Sequence, residues 1–205
     1  MKNLLTRFNM DECKASKTPM EVASWKEQDN KENLICIIEK KPYRELVGCL
    51  MYLMLTTRPD LSPSVNYLSR FQSNGTDLHW NGLKRILRYV KGTLDYGLFY
   101  QWSESSSVTL LGYADADWAG DTDRKSTSGF LLQVCNATAL WATRKQTAVA
   151  LSSTEAEYVA LACAATELVW LRNLLRDFGV EFNDPTVMFE DNQSCIRLLD
   201  NMETS

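Results

Sequence analysis

Helical periodicity dominates the first half of the chain, and strand-like alternation enters with the second. Apolar residues step by three and four through 43–57 and 60–73, which predicts two helices split by Arg58-Pro59-Asp60, with the proline in the first turn of the second. A third helix is predicted over 77–91. Trp80, Leu83, Leu87 and Val90 form its apolar stripe, Asp77 suits the N-cap and Gly92 the stop. Residues 1–40 are mixed in charge and weakly periodic, and the polar stretch 24–33 reads as a loop or linker. Beyond a small polar break at 103–107, residues 108–117, 128–134 and 140–151 read as a three-stranded meander, turning at 120–127 and at Asn136-Ala137-Thr138. A long helix over 153–178, stopped by Gly179, leads to a strand over 186–191 and a short helix over 193–199. The expected class is α/β (α+β), a mixed sheet whose crossover helix sets the last strand parallel to a neighbour. A mainly helical region over 1–102 precedes it, and the strand-bearing region occupies 103–205.

Composition narrows the class further. At 205 residues and 45% hydrophobic content the chain supports a real core. Cys13, Cys36, Cys49, Cys135, Cys163 and Cys195 are widely spaced and His79 stands alone, so neither a zinc cluster nor a disulfide framework is signalled. No run approaches the roughly eighteen uninterrupted apolar residues of a membrane span, so a soluble, unsecreted chain is expected, with reduced thiols that are mostly buried. A net charge of −4 argues mildly against binding to phosphate backbones. Its distribution is uneven: residues 41–100 hold eight Lys or Arg against four acids, whereas 181–205 hold six acids and one base. On the predicted third helix Lys84, Arg88 and Lys91 share a stripe that suits a nucleic-acid backbone, although a solvated helix face has the same spacing. Trp80 reads as core rather than as a base-stacking platform, Cys163 as core packing, and His79 has no catalytic partner in sequence.

The chemistry lies in three acidic clusters: Asp115 with Asp117, Glu155 with Glu157, and Asp191. Ionised carboxylates repel one another unless a hard divalent cation lies between them, and oxygen donors at element ends suit Mg²⁺ better than zinc. The plain alternative is that each is a solvated cap or turn residue. Register separates them. On the long helix Leu161, Ala164, Leu168, Leu171, Leu175 and Phe178 form the expected buried stripe, and one turn before Leu161 stands Glu157, on the face directed at the sheet. Glu155 points about 200° away, at capping-box spacing from Ser152, and is assigned to structure. Leu111, Tyr113 and Asp115 share one strand face, which Asp117 joins only if the strand continues. Val187, Phe189 and Asp191 share another, and Asp191 falls at a carboxyl end, where open α/β sheets place their sites. The three meet if the two strands are neighbours.

The blocks that carry these residues resemble a known family. Gly112-Tyr-Ala-Asp-Ala-Asp-Trp-Ala-Gly-Asp121, Asp123-Arg-Lys-Ser-Thr-Ser-Gly129, Ser152-Ser-Thr-Glu-Ala-Glu-Tyr-Val-Ala-Leu161 and Glu190-Asp-Asn-Gln-Ser194 resemble, in order and spacing, the ribonuclease H region of copia-type LTR retrotransposon Pol polyproteins. Tyr43-Arg-Glu-Leu-Val-Gly-Cys-Leu-Met-Tyr-Leu53, Thr57-Arg-Pro-Asp-Leu61 and Leu83-Lys-Arg-Ile-Leu-Arg-Tyr-Val-Lys-Gly-Thr93 resemble the stretch just upstream, which links polymerase to nuclease. The resemblance implies a ribonuclease H-like fold that cuts the RNA strand of an RNA–DNA hybrid. It further implies metal-binding, catalytic carboxylates at Asp115, Glu157 and Asp191, and two Mg²⁺ (or Mn²⁺) ions about 4 Å apart. Asp117 ranks below these three, as a turn residue or an auxiliary ligand. The implied partners are the hybrid, held by backbone, 2′-hydroxyls and groove shape, with Lys84, Arg88 and Lys91 among its contacts, and the polymerase region of the same polyprotein. The implied place is a cytoplasmic retroelement particle or the nucleus, with no membrane. The family continues with a further strand, a basic His- and Asp-containing segment and a closing helix that have no counterpart here, and the polymerase Tyr-x-Asp-Asp motif is absent. A truncated, impaired nuclease is therefore one expectation, and a remnant that only binds nucleic acid or a protein partner is the alternative.

Overall fold

A computed structural model describes residues 1–21, 41–100, 108–120 and 123–203, with side chains to 201. The stretch 24–33, the break 103–107 and two positions of the turn 120–127 lie outside the described residues. Internal contacts divide the chain into two compact units, Met1–Gly97 and Leu98–Ser205.

In the first unit the described helices are α1 (Lys2–Arg7), α2 (Tyr43–Thr56), α3 (Ser62–Ser69) and α4 (Asp77–Gly92), with a 3₁₀ turn, Pro59–Leu61, leading into α3. Apolar residues at helical spacing meet in one core: Leu46, Val47 and Leu50 of α2, Val65 and Leu68 of α3, and Leu83, Ile86, Leu87 and Val90 of α4 are all fully buried. Tyr43 joins them and donates its buried hydroxyl to the Leu68 carbonyl at 2.8 Å. Trp80 packs partly buried against this core, consistent with its place in the apolar stripe.

The sequence did not foretell α1, and it misplaced the cap of α4. Thr76, not Asp77, is the N-cap, in a capping box completed by His79, whose Nδ1 accepts from the Thr76 amide at 3.1 Å. His79 is buried and its ring stacks on Phe71 with centroids 3.8 Å apart, so this histidine holds a helix start. Asp77 instead pairs with Lys41. Gly92 is still helical, and Thr93 is the C-cap.

The second unit is a four-stranded mixed sheet in the order β3-β2-β1-β4: β1 (Leu110–Asp117), β2 (Thr127–Val134), β3 (Ala137–Lys145) and β4 (Val187–Phe189). The first three form an antiparallel meander, and β4 lies parallel to β1 after the crossover helix α5 (Ser153–Asp177). Helix α6 (Gln193–Glu203) follows. The second hairpin is tighter than expected. Val134 pairs with Ala137, so Cys135 and Asn136 alone turn the chain, both at positive φ (50° and 63°) as a two-residue type I′ loop demands, and β3 begins at Ala137 and ends at Lys145.

Helix α5 packs on β1 and β2, chiefly through small residues. Ala156, Ala160 and Ala164 are fully buried, and Leu168 and Leu171 continue the line into a core with Leu110 and Leu132. This corrects the predicted stripe: Leu161 and Leu175 are only partly buried, Phe178 is 75% exposed, and Cys163 lies on the solvent side. Leu161, Leu175 and Phe178 were placed by their size, whereas close approach of a helix to a sheet selects alanine. By length and composition α5 would also cross a membrane, but here it is the crossover helix of a sheet. Its start is capped by Ser152 Oγ, which accepts from the Glu155 amide at 3.1 Å, and the Glu155 carboxylate accepts in turn from the Leu151 amide at 2.7 Å. Gly179, at φ +85°, ends it, the left-handed step that glycine makes without a Cβ penalty.

Candidate metal centre

Strand register decides where the carboxylates stand. Tyr113 of β1 pairs with Phe189 of β4 in a parallel ladder, and two residues further along each strand direction come Asp115 and Asp191. Side chains alternate with period two, so the acids follow their aromatic neighbours on one face. The Tyr113 and Phe189 rings stack there, centroids 5.0 Å apart. The first turn of α5 begins at the same end of the sheet and supplies Glu157. Asp115, Glu157 and Asp191 each bring a carboxylate oxygen to within 4.8 Å of the other two. Asp115 and Asp191 are exposed, whereas Glu157 is only 6% exposed.

Two features of this geometry were invisible in the sequence reading. Gln146, just past β3, is buried and donates from Nε2 to Ser128 Oγ and to the Ala156 carbonyl, both at 2.9 Å. It thereby ties the start of β2 to the residue preceding Glu157. On the other side Trp118 Nε1 donates to the Ala150 carbonyl at 3.2 Å, anchoring the segment that enters α5. The second feature is Glu190, whose charge acts on Glu157 more strongly than either aspartate does. Its place in the motif beside Asp191 was the available signal, but which side of the sheet end it faces depends on the packing of α5.

Asp117 proves to lie within β1, paired with Thr127, and so shares the face of Asp115. Its carboxylate packs against Gly120, where a Cβ would overlap Asp117 Oδ2 at 2.0 Å, so this acid shapes the turn and stands outside the converging three. Lys84, Arg88 and Lys91 lie on α4, each half-buried. Arg88 Nε donates to the Lys14 carbonyl at 2.7 Å, and the adjacent Arg85 pairs with Glu21, so part of that basic face binds the chain's own N-terminal segment. A cavity of about 730 Å³ lies at the amino ends of β1 and β4, away from the carboxylates.

Burial pushes the Glu157 carboxyl up to about 7; the charges of Glu190, Asp115 and Asp191 push the same way, and a hydrogen bond to the Ala116 backbone opposes them. Its Oε2 is buried with no hydrogen-bond partner among the described residues. A nearly buried, unpartnered carboxylate oxygen among like charges is what a hard divalent cation would relieve, and the all-oxygen donor set suits Mg²⁺ or Mn²⁺. The residues present therefore fit such an ion.

The raised carboxyl has a consequence for stability. An ordinary glutamate ionises near 4.5, so between 4.5 and about 7 the unfolded chain loses a proton that the folded chain keeps. The stabilisation is full below 4.5 and is lost as pH rises through about 7. In chelator, Glu157→Gln is expected to raise the melting temperature at pH 8 by about 3 °C or more and to leave it unchanged at pH 4. Melting curves at the two pH values check this, and an equal shift at both would contradict it.

No family profile and no solved structure matches the chain. Curated relatives do. The Retrovirus-related Pol polyprotein from transposon RE2 of Arabidopsis thaliana is 40% identical over 200 residues, covering 97% of this chain and 13% of that protein. The corresponding polyprotein from transposon TNT 1-94 of Nicotiana tabacum is 38% identical over 208 residues, covering 98% and 15%. The Secreted RxLR effector protein 161 of Plasmopara viticola is 50% identical over 131 residues, 63% of this chain and 91% of that one. The chain thus spans about a seventh of the length of the polyproteins it matches.

Proposed function

The chain belongs to the retrovirus-related Pol polyproteins of copia-type transposons, and from that membership we propose that residues 103–205 act as a ribonuclease H-like module, cleaving the RNA strand of RNA–DNA hybrids, with 1–102 linking it to the polymerase region. One observation carries the reading: Asp115, Glu157 and Asp191, remote in sequence, converge at the carboxyl ends of two parallel strands. When bound, a pair of Mg²⁺ or Mn²⁺ ions supplies charge neutralisation at the scissile phosphate and activation of water.

The chain's own residues do the rest. Asp115 and Asp191, open to solvent, offer oxygens on the side from which a phosphate arrives, and Glu157 closes the site from beneath. Gln146 and Trp118 hold the helix start, so the carboxylates are positioned before substrate binds. Glu157 must give up its proton for the site to load, so the cation competes with that proton and loading at a given metal concentration is favoured as pH rises. Lys84 and Lys91, with the remaining donors of Arg88, are the proposed backbone contacts of the hybrid, which is read by shape and 2′-hydroxyls.

A labelled hybrid incubated with the purified chain tests this reading. Mg²⁺-dependent cutting of the RNA strand, with the DNA strand intact, is expected; an uncut hybrid at every Mg²⁺ and Mn²⁺ concentration overturns it. The net charge of −4 and the engagement of Arg85 and Arg88 with their own chain weigh against hybrid binding through that face. A remnant that only binds nucleic acid would show salt-sensitive hybrid binding without cleavage, and one that only binds a protein partner would show neither.

A further inference from the structure

We propose that Trp118 is a substrate contact, its exposed indole resting against the sugar and base surface of the hybrid strand beside the scissile phosphate. The inference rests on the reading of Asp115, Glu157 and Asp191 as a nuclease centre, and adds a contact which that reading does not use.

Strand β1 ends at Asp117, so Trp118 leaves the sheet three residues after Asp115, at the end where α5 begins. Its Nε1 donates to the Ala150 carbonyl at 3.2 Å. Ala150 is buried with Ala116, Ala156 and Ala160, of which Ala116 follows Asp115 and Ala156 precedes Glu157. One edge of the indole is therefore pinned at the carboxylate end of the sheet, while the residue stays 43% exposed.

The turn that carries it is fixed on both sides. Ala119 sits at φ +50°, a left-handed conformation that crowds a Cβ and persists only where the surroundings over-determine it. Its amide donates to Oγ of the fully buried Ser126 at 3.1 Å, and the Asp117 carboxylate fills the space beside Gly120. The backbone thus presents the indole at the surface instead of tucking it into the core.

Single exposed apolar side chains are ordinary on a protein surface, but Trp118 is not single. Val149 and Leu151, on either side of the Ala150 acceptor, are 47% and 88% exposed. Large apolar side chains at the rim of an acidic cluster suit a ligand that is charged at one point and apolar beside it. A nucleic-acid strand has that chemistry. Its phosphate goes to the carboxylate-held cation, and its ribose and base faces meet an indole that is apolar over its body and hydrogen-bonded at its tip.

Steady-state cleavage of a labelled hybrid by the full chain tests the inference, at saturating Mg²⁺ so that any loosening of the metal site is made good. Trp118→Ala is expected to raise KM about ten-fold with kcat within about three-fold of wild type, the pattern of a contact made equally in ground and transition states. Trp118→Phe keeps a ring without the Nε1 donor and should recover part of the loss. Leu151→Ser removes an exposed side chain and no hydrogen bond, and should raise KM about three-fold. A role confined to supporting the start of α5 predicts instead a higher Mg²⁺ requirement with KM unchanged at saturation, and that result overturns the proposal. Where Trp118→Ala does not fold, photocrosslinking of wild type to a hybrid with bromouridine beside the cleaved bond decides: an adduct at Trp118 supports the contact, and a bound hybrid with adducts only elsewhere overturns it. Wild type that crosslinks at Trp118 without cutting upholds the contact and overturns the nuclease reading alone, whereas wild type that neither cuts nor binds the hybrid overturns both.

Discussion

Asp191→Asn is expected to lower Mg²⁺-dependent cleavage of a hybrid by about 10³-fold while leaving the chain folded. The substitution preserves shape and removes one charge from the converging three. Charge stabilisation through a bound metal is worth several kcal/mol in a transition state, and about 4 kcal/mol corresponds to a thousandfold in rate. Asp191 is the informative choice because it is exposed and beyond the end of β4, so its loss disturbs no buried contact. Replacing Glu157 would mix chemistry with the relief of a buried charge. Single-turnover cleavage measured beside circular dichroism checks the prediction; an unchanged rate in a folded variant would remove Asp191 from the mechanism.

Arg58→Ala carries the largest expected effect on stability, a loss of about 3 kcal/mol from the helical unit. Its side chain is 1% exposed. Nε and Nη2 donate to the Asp60 carboxylate at 2.7–3.2 Å, and Nη1 and Nη2 donate to the carbonyl and hydroxyl of Thr93 at 3.0 and 2.7 Å. The rings of Tyr89 and Tyr96 lie 5.5 and 5.7 Å from the guanidinium carbon. One side chain thus joins the turn before α3 to the C-cap of α4. Burial alone would raise the Asp60 carboxyl, but hydrogen bonds from Arg58 and Tyr89 hold it below the usual carboxylate range. That contribution is present above the ordinary aspartate value and fades as pH falls through the depressed one. Asp60 is one-third exposed, so the estimate sits at the low end for breaking a buried pair. Arg58→Lys should recover only part of the loss, because an ammonium cannot fork to Asp60 and Thr93 together. Urea unfolding of the full chain checks both variants, and a change under 1 kcal/mol for Arg58→Ala would contradict the account.

The sequence disclosed more of the site than of its supports. Leu111, Tyr113 and Asp115 share a face because strand period is two, and Glu157 faces the sheet because helix period is 3.6; both follow from local geometry. What remained hidden depends on neighbours. Gln146 reads as a polar strand end until β2 and α5 are placed beside it, and Glu190 reads as a spare acid until its side of the sheet is known. Arg58 looked like part of a helix break, because nothing in Thr57-Arg58-Pro59-Asp60 announces that Thr93 will stand opposite. The α4 cap was misread because histidine, an unusual partner, completes its capping box. Hydrophobicity places Phe178 in the buried stripe and Cys163 in the core, whereas the helix presents its alanines to the sheet and leaves both of these exposed.

The central claim is that Asp115, Glu157 and Asp191 hold a divalent cation, and anomalous diffraction from crystals of the chain grown with Mn²⁺ tests it most directly. The account predicts an anomalous peak bonded to oxygens of all three side chains. Carboxylates with no metal peak between them at millimolar Mn²⁺, or a peak bound elsewhere, would contradict it.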